Sequence, residues 1–167
     1  IITGMKKALM LLTLCLLLMQ TQAQETKVAI TAKTSVVLPG PPTKTAQETG
    51  STWAYLPKDT AFVCSVTLVD MEMARGVTAE AMTLAMMDTT FWDQVETGFM
   101  TSMGAGAVKR KRELRTVNGQ KALYMEVDRP DGTGMLDIAA MVMMEGKNSV
   151  NLVHINKKGK DPGREQF

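Results

Sequence analysis

The residues in this chain that could carry chemistry are few. His154 is the one histidine, so a serine–histidine or cysteine–histidine pair would have to use it. Ser65, Ser102 and Ser149 are the serines weighed for such a pair, and none lies in a Gly-x-Ser-x-Gly turn. Asp128, Asp131 and Asp137 flank the Gly-rich stretch Asp131-Gly132-Thr133-Gly134. Their oxygens suit a hard cation such as calcium, or an acid–base role for Asp131. The terminal glutamate of an EF-hand loop is missing, and Asp and Gly are also ordinary turn formers. Met141 and Met143 point the same way from one strand, and clustered thioethers suit a soft ion such as Cu(I). With 12 methionines after residue 23, packing accounts for most of them. Zinc held by Cys/His clusters has too few ligands. No cofactor is expected.

Cys64, in Phe62-Val63-Cys64-Ser65-Val66, reads as a small buried hydrophobe, because the sequence places no base or cation beside it. The other cysteine, Cys15, lies in the leader, so no internal disulfide is expected. Gly104-x-Gly106 precedes a strand instead of a helix and is no phosphate cradle.

That leader is the clearest targeting signal. Met5-Lys6-Lys7 is basic, Ala8 to Met19 is a twelve-residue apolar run, and Ala23 is a small residue before a cut ahead of Gln24. This order is that of a secretory signal peptide. The run falls short of the roughly 20 residues that span a bilayer. Leu14 before Cys15 is too large for a lipid-attachment site. Residues 1–23 are therefore read as leader, with the natural start at Met5, and 24–167 as one secreted or periplasmic domain.

The chain has 167 residues, 45% hydrophobic and 22% charged, enough for one core and too apolar for wholesale disorder. Lys6 and Lys7 are the only charges before Gln24, and residues 24–167 hold 17 basic and 17 acidic side chains. No overall field attracts nucleic acid or anionic lipid.

The elements that must position these groups are set by local pattern. A strand from Ala32 to Leu38 stops at Pro39-Gly40-Pro41-Pro42, since proline donates nothing to a ladder. Thr43 to Tyr55 is a second strand with a turn near Gly50, and Thr60 to Val69 is strongly strand-like. Thr78 caps a helix from Ala79 to about Met103. Its apolar stripe runs through Ala81, Leu84, Ala85, Met87, Phe91, Val95, Phe99 and Met103. Asn118-Gly119 then marks a two-residue hairpin. That register sets Val117 against Gln120, Leu114 against Leu123, Lys111 against Glu126 and Lys109 against Asp128. Alternation so splits the basic run Lys109-Arg110-Lys111-Arg112 between two faces, and a charge-paired sheet is expected instead of a nucleic-acid patch. Strands from Met135 to Met144 and from Ser149 to Ile155 come next. Asp161-Pro162 opens a further helix that the chain cuts short.

This order resembles the exported PsbP-like domains, including uncharacterised bacterial members, over about Thr34 to Phe167. The likeness rests on Val36-Val37-Leu38-Pro39-Gly40-Pro41-Pro42, Phe62-Val63-Cys64-Ser65-Val66, the helix from Ala79, Arg115-Thr116-Val117-Asn118-Gly119-Gln120-Lys121-Ala122, and Lys157 to Phe167. It implies an α+β fold, a central antiparallel sheet with helices on its faces in an α/β/α sandwich, its C-terminal helix truncated. These are scaffold motifs and bring no functional residues with them. The expectation is a non-enzymatic binding module for a partner protein or small ligand. The alternatives are a hydrolase using His154 or the Asp128–Asp137 turn, and a metal-handling protein.

Overall fold

A computed structural model describes residues 25–58 and 62–157. The expected leader, Cys15 and the Asp161-Pro162 helix start lie outside the described residues. Nine strands and three helices are present among those described: β1 Thr26–Ala29, β2 Ser35–Leu38, β3 Thr43–Gln47, β4 Gly50–Tyr55, β5 Phe62–Asp70, α1 Met71–Arg75, α2 Ala79–Met87, α3 Phe91–Met103, β6 Val108–Val117, β7 Gln120–Pro130, β8 Met135–Glu145 and β9 Asn148–Lys157. Strands β3 to β9 make one antiparallel sheet in the order β3-β4-β5-β9-β8-β7-β6, and β1-β2 forms a separate pair. The class is α+β with a central antiparallel sheet, as the resemblance to PsbP-like domains implied.

Alternation along the central strands gives the sheet two buried faces. On one, Leu123, Met125, Val142 and Met144 pack against Met82 and Trp92 of α2 and α3. On the other, Trp53, Cys64, Val66, Tyr124, Met141 and Met143 pack with Ile30 and Leu38 from the β1–β2 pair. Among the described residues the helices lie on the first face and the β1–β2 pair covers the second. Because both faces are covered, the central strands β7 and β8 are buried almost continuously.

The expected single helix is two. Asp88 leaves helical geometry, and its Oδ1 accepts from the Thr90 N–H at 2.7 Å and the Thr90 hydroxyl at 2.8 Å. A carboxylate that turns its own backbone competes with helix continuation, and Asp88-Thr89-Thr90 offers three weak helix formers in succession. Those two bonds also hold the Asp88 carboxyl below its usual range, the backbone one foremost. The break changes the buried stripe. Met82 and Trp92 are 3% and 4% exposed, whereas Leu84 and Met87, expected inside, are 68% and 74% exposed. The Thr78 cap is as expected, its hydroxyl accepting from the Ala81 N–H. The short α1 was not foreseen. It is capped by Asp70, which accepts from the N–H groups of Glu72 and Met73.

The hairpin is as read. Val117 opposes Gln120 across a two-residue turn, with Asn118 at φ 50° and Gly119 at φ 79°, the pair of positive values a type I′ turn requires. The register holds through Leu114–Leu123 and Lys111–Glu126, then slips at a bulge between Lys109 and Lys111. Lys109 therefore opposes Val127 instead of Asp128. An extra residue in one strand shifts everything beyond it by one face. Short strand β1 was not expected, and β2 starts at Ser35 because Ile30 and Thr31 turn the chain by hydrogen bonds to the Thr34 carbonyl. The glycine of the proline motif has a steric reason: a Cβ on Gly40 would lie 2.3 Å from Cε2 of Tyr55.

Candidate functional site

A cavity of about 620 Å³ lies between β2 and the sheet face that the β1–β2 pair covers. Its floor is apolar, with Val66 from β5, Leu152 from β9, and Met141 and Met143 from β8. Val36, Leu38 and Pro39 form the opposite wall. Toward the β6–β7 turn, polar Lys33, Asn118 and Gln120 line it, and toward the far end Phe62, Cys64 and His154. No Asp or Glu is among its described lining residues.

The position of β2 over this floor is set by a clasp. Glu145, at the end of β8, accepts from the Thr31 hydroxyl at 2.8 Å and the Thr34 hydroxyl at 2.7 Å. Thr31 Oγ1 in turn accepts from the Thr34 N–H at 2.9 Å. Charge-assisted bonds of this kind are about twice as strong as neutral ones, so the β1–β2 turn is tied to the end of the interior strand β8.

The structure brings together two residues that the sequence kept ninety apart. Cys64 and His154 are direct cross-strand partners in the β5–β9 ladder, each 3% exposed, on the cavity face. The His154 ring also lies 5.5 Å from that of Phe62. Sequence reasoning found no base near Cys64 because register alone creates the contact. Burial pushes the Cys64 thiol up to about 11, so it is protonated at neutral pH. A thiol in that state is a poor nucleophile. Met141 and Met143 share the same face, and Met141 pairs with Leu152, two residues from His154 along β9.

The carboxylates are elsewhere. Asp128 and Asp137 are cross-strand partners on β7 and β8, and the bulged Arg110 reaches both. Its Nε lies 2.8 Å from Asp128 and its guanidinium 3.8 Å from Glu126, with Asp137 as third partner. The bulge is what turns Arg110 onto this face, a placement that simple alternation does not produce. Asp131 stays in the β7–β8 turn, where its Oδ1 accepts from the Thr133 N–H and hydroxyl at 2.9 Å each. The bond from the Thr133 backbone, above all, holds its carboxyl below the usual range. Among the described residues, no group of three or more His, Cys, Asp or Glu side chains is placed to hold a metal ion.

The remaining cations of the basic run are paired, with partners other than those expected. Lys109 and Arg112 both meet Glu96 of α3, and Arg112 also meets Asp93. Lys111 and Arg115 share Glu113 on their own strand. The Arg115 guanidinium stacks 3.6 Å above the Tyr124 ring. Ion pairs of this exposed kind stabilise little, but they cancel the local positive field. Among the described residues no helix is long and apolar enough to cross a membrane.

No protein-family model matches this chain. No curated protein matches it either. Among solved structures, it is similar to PA94 of Pseudomonas aeruginosa, a protein of unknown function, with a TM-score of 0.50 at 12% identity over 81% of this chain and 85% of that one. It is also similar to cyanobacterial PsbP (CyanoP) from Synechocystis sp. PCC 6803, with a TM-score of 0.49 at 12% identity over 81% and 82%. The likeness to PA94 is one of fold alone: an α+β arrangement around an antiparallel sheet.

Proposed function

We propose that this chain is an exported, non-enzymatic binding module whose ligand occupies the cavity under β2. The observation that carries this reading is the cavity itself. At about 620 Å³ it falls in the range of small-molecule sites, about 300–1,000 Å³. Its apolar floor, with Lys33, Asn118 and Gln120 toward one end and His154 toward the other, suits a small, largely apolar ligand that carries a polar group. The basic, apolar and small-residue order of residues 5–23 supports export.

An uncharged apolar fluorophore, N-phenyl-1-naphthylamine, tests the cavity. Saturable emission enhancement at one site per chain is expected. It is lost in Val36→Trp, whose indole fills the space beneath β2, while circular dichroism is unchanged. Absence of saturable binding, or equal binding by a folded Val36→Trp, overturns the reading. Ester or peptide turnover that disappears in His154→Ala would replace it with the hydrolase alternative. For export, mass spectrometry of material outside the cytoplasm should give an N-terminus at Gln24. Intact Lys6–Ala23 on all of the protein refutes it.

A further inference from the structure

We propose that the far end of the cavity binds one soft monovalent cation, Cu(I), through Cys64 sulfur, a ring nitrogen of His154 and the Met141 thioether. This rests on the reading of the cavity as a ligand site and names a second class of occupant for it. The one histidine in the chain directly opposes the one cysteine among the described residues, and both line the same space. Side chains directly opposite across antiparallel strands have Cβ atoms about 4.5–5.5 Å apart, and diagonal neighbours about 7–8 Å. Met141 is the diagonal neighbour of His154 on β8, within reach of its long, flexible side chain. Three donors from three adjacent strands thus converge on one face.

Donor chemistry selects the ion. Thiolate and thioether are soft ligands and imidazole a borderline one, the set that favours Cu(I) over hard cations. No carboxylate lines the described walls, so calcium or magnesium finds no oxygen cage there. Charge selects it further, because a buried unpaired charge is costly. Binding replaces the thiol proton by the metal: Cys64–SH and Cu(I) give Cys64–S–Cu and a proton that passes to solvent, with no change of oxidation state. One thiolate and one monovalent ion leave the site neutral, whereas a divalent ion would leave it charged. Met143, also in the lining, supplies a further thioether two residues along β8.

The test is an anaerobic titration of the full chain with Cu(I) against the chromophoric chelator bathocuproine disulfonate, with N-phenyl-1-naphthylamine binding measured on the same samples. One Cu(I) per chain is expected, with sulfur in its shell by X-ray absorption. Met141→Leu, which conserves volume and so keeps the fold, should weaken it by about tenfold or more. Cys64→Ser should abolish competition with the chelator. No competing site in the wild-type chain, or equal affinity in a folded Cys64→Ser and Met141→Leu double variant, overturns the proposal. If the fluorophore binds while Cu(I) does not, only the cation site falls. If neither binds, the cavity reading falls with it.

Discussion

Truncating Met82 and Met87 separately asks which side of α2 faces the sheet. Both are methionines on the same nine-residue helix, so the local chemistry of Met→Ala is shared. Met82 is 3% exposed and packs in the cluster with Trp92, Leu123, Met125, Val142 and Met144. Met87 is 74% exposed. Removing a buried methionine side chain loses its transfer free energy and leaves a cavity, together about 2–5 kcal/mol. At an exposed helical site the change is within about 0.5 kcal/mol, and alanine's higher helix propensity pulls it toward stabilisation. Urea denaturation reads the difference. With a slope of about 2 kcal/mol per molar, Met82→Ala lowers the midpoint by roughly 1–2.5 M, and Met87→Ala leaves it nearly in place. By heat the first loss is about 4–20 °C for a chain of this size. If Met87→Ala costs as much as Met82→Ala, the helix is seated on the stripe through Leu84 and Met87, and the break at Asp88 does not reset its face.

Two further outcomes concern charged groups. Arg110→Met removes the cation that reaches Glu126, Asp128 and Asp137 together, and the three carboxylates then repel. A loss of about 1 kcal/mol at low salt is expected, reduced in 1 M NaCl where the screening length is about 3 Å; an equal loss at both salt concentrations would show that packing, not charge, was removed. The Asp70 carboxyl is held below its ordinary 3.8, chiefly by the Met73 N–H and also by Lys147. Because its folded value is the lower one, its stabilising contribution is complete above about pH 4 and is lost as pH falls through the folded value. Asp70→Asn should therefore flatten the acid side of a plot of melting temperature against pH; an unchanged slope there refutes the linkage.

Much of the fold is legible in local sequence because it is decided locally. Asn118-Gly119 needs only its own backbone freedom to make the hairpin, and Thr78 needs only its hydroxyl to start a helix. Pro39-Gly40-Pro41-Pro42 ends β2 because proline has no N–H to give. The alternating run from Met135 onward marks a buried strand wherever it is placed. The Arg110 bulge is different. Nothing in Lys109-Arg110-Lys111-Arg112 says which residue will be extra, since the choice depends on Glu96 waiting on α3 and on Asp128 and Asp137 waiting on β7 and β8. The break at Asp88 stands between these cases, signalled by a run of cap-forming residues but hidden beneath a helical apolar period.

From the order of residues alone came the Asn118-Gly119 hairpin, the helix start at Thr78 and the thioethers of β8, all properties of neighbours along the chain. Tertiary structure alone joined Cys64 to His154, set β2 over them through Glu145, and opened the space between. Those depend on sheet register and on which face each strand turns inward. Register is a contest between whole hydrophobic faces, in which a slip of one residue exchanges every side chain, so it is decided only when the strands meet.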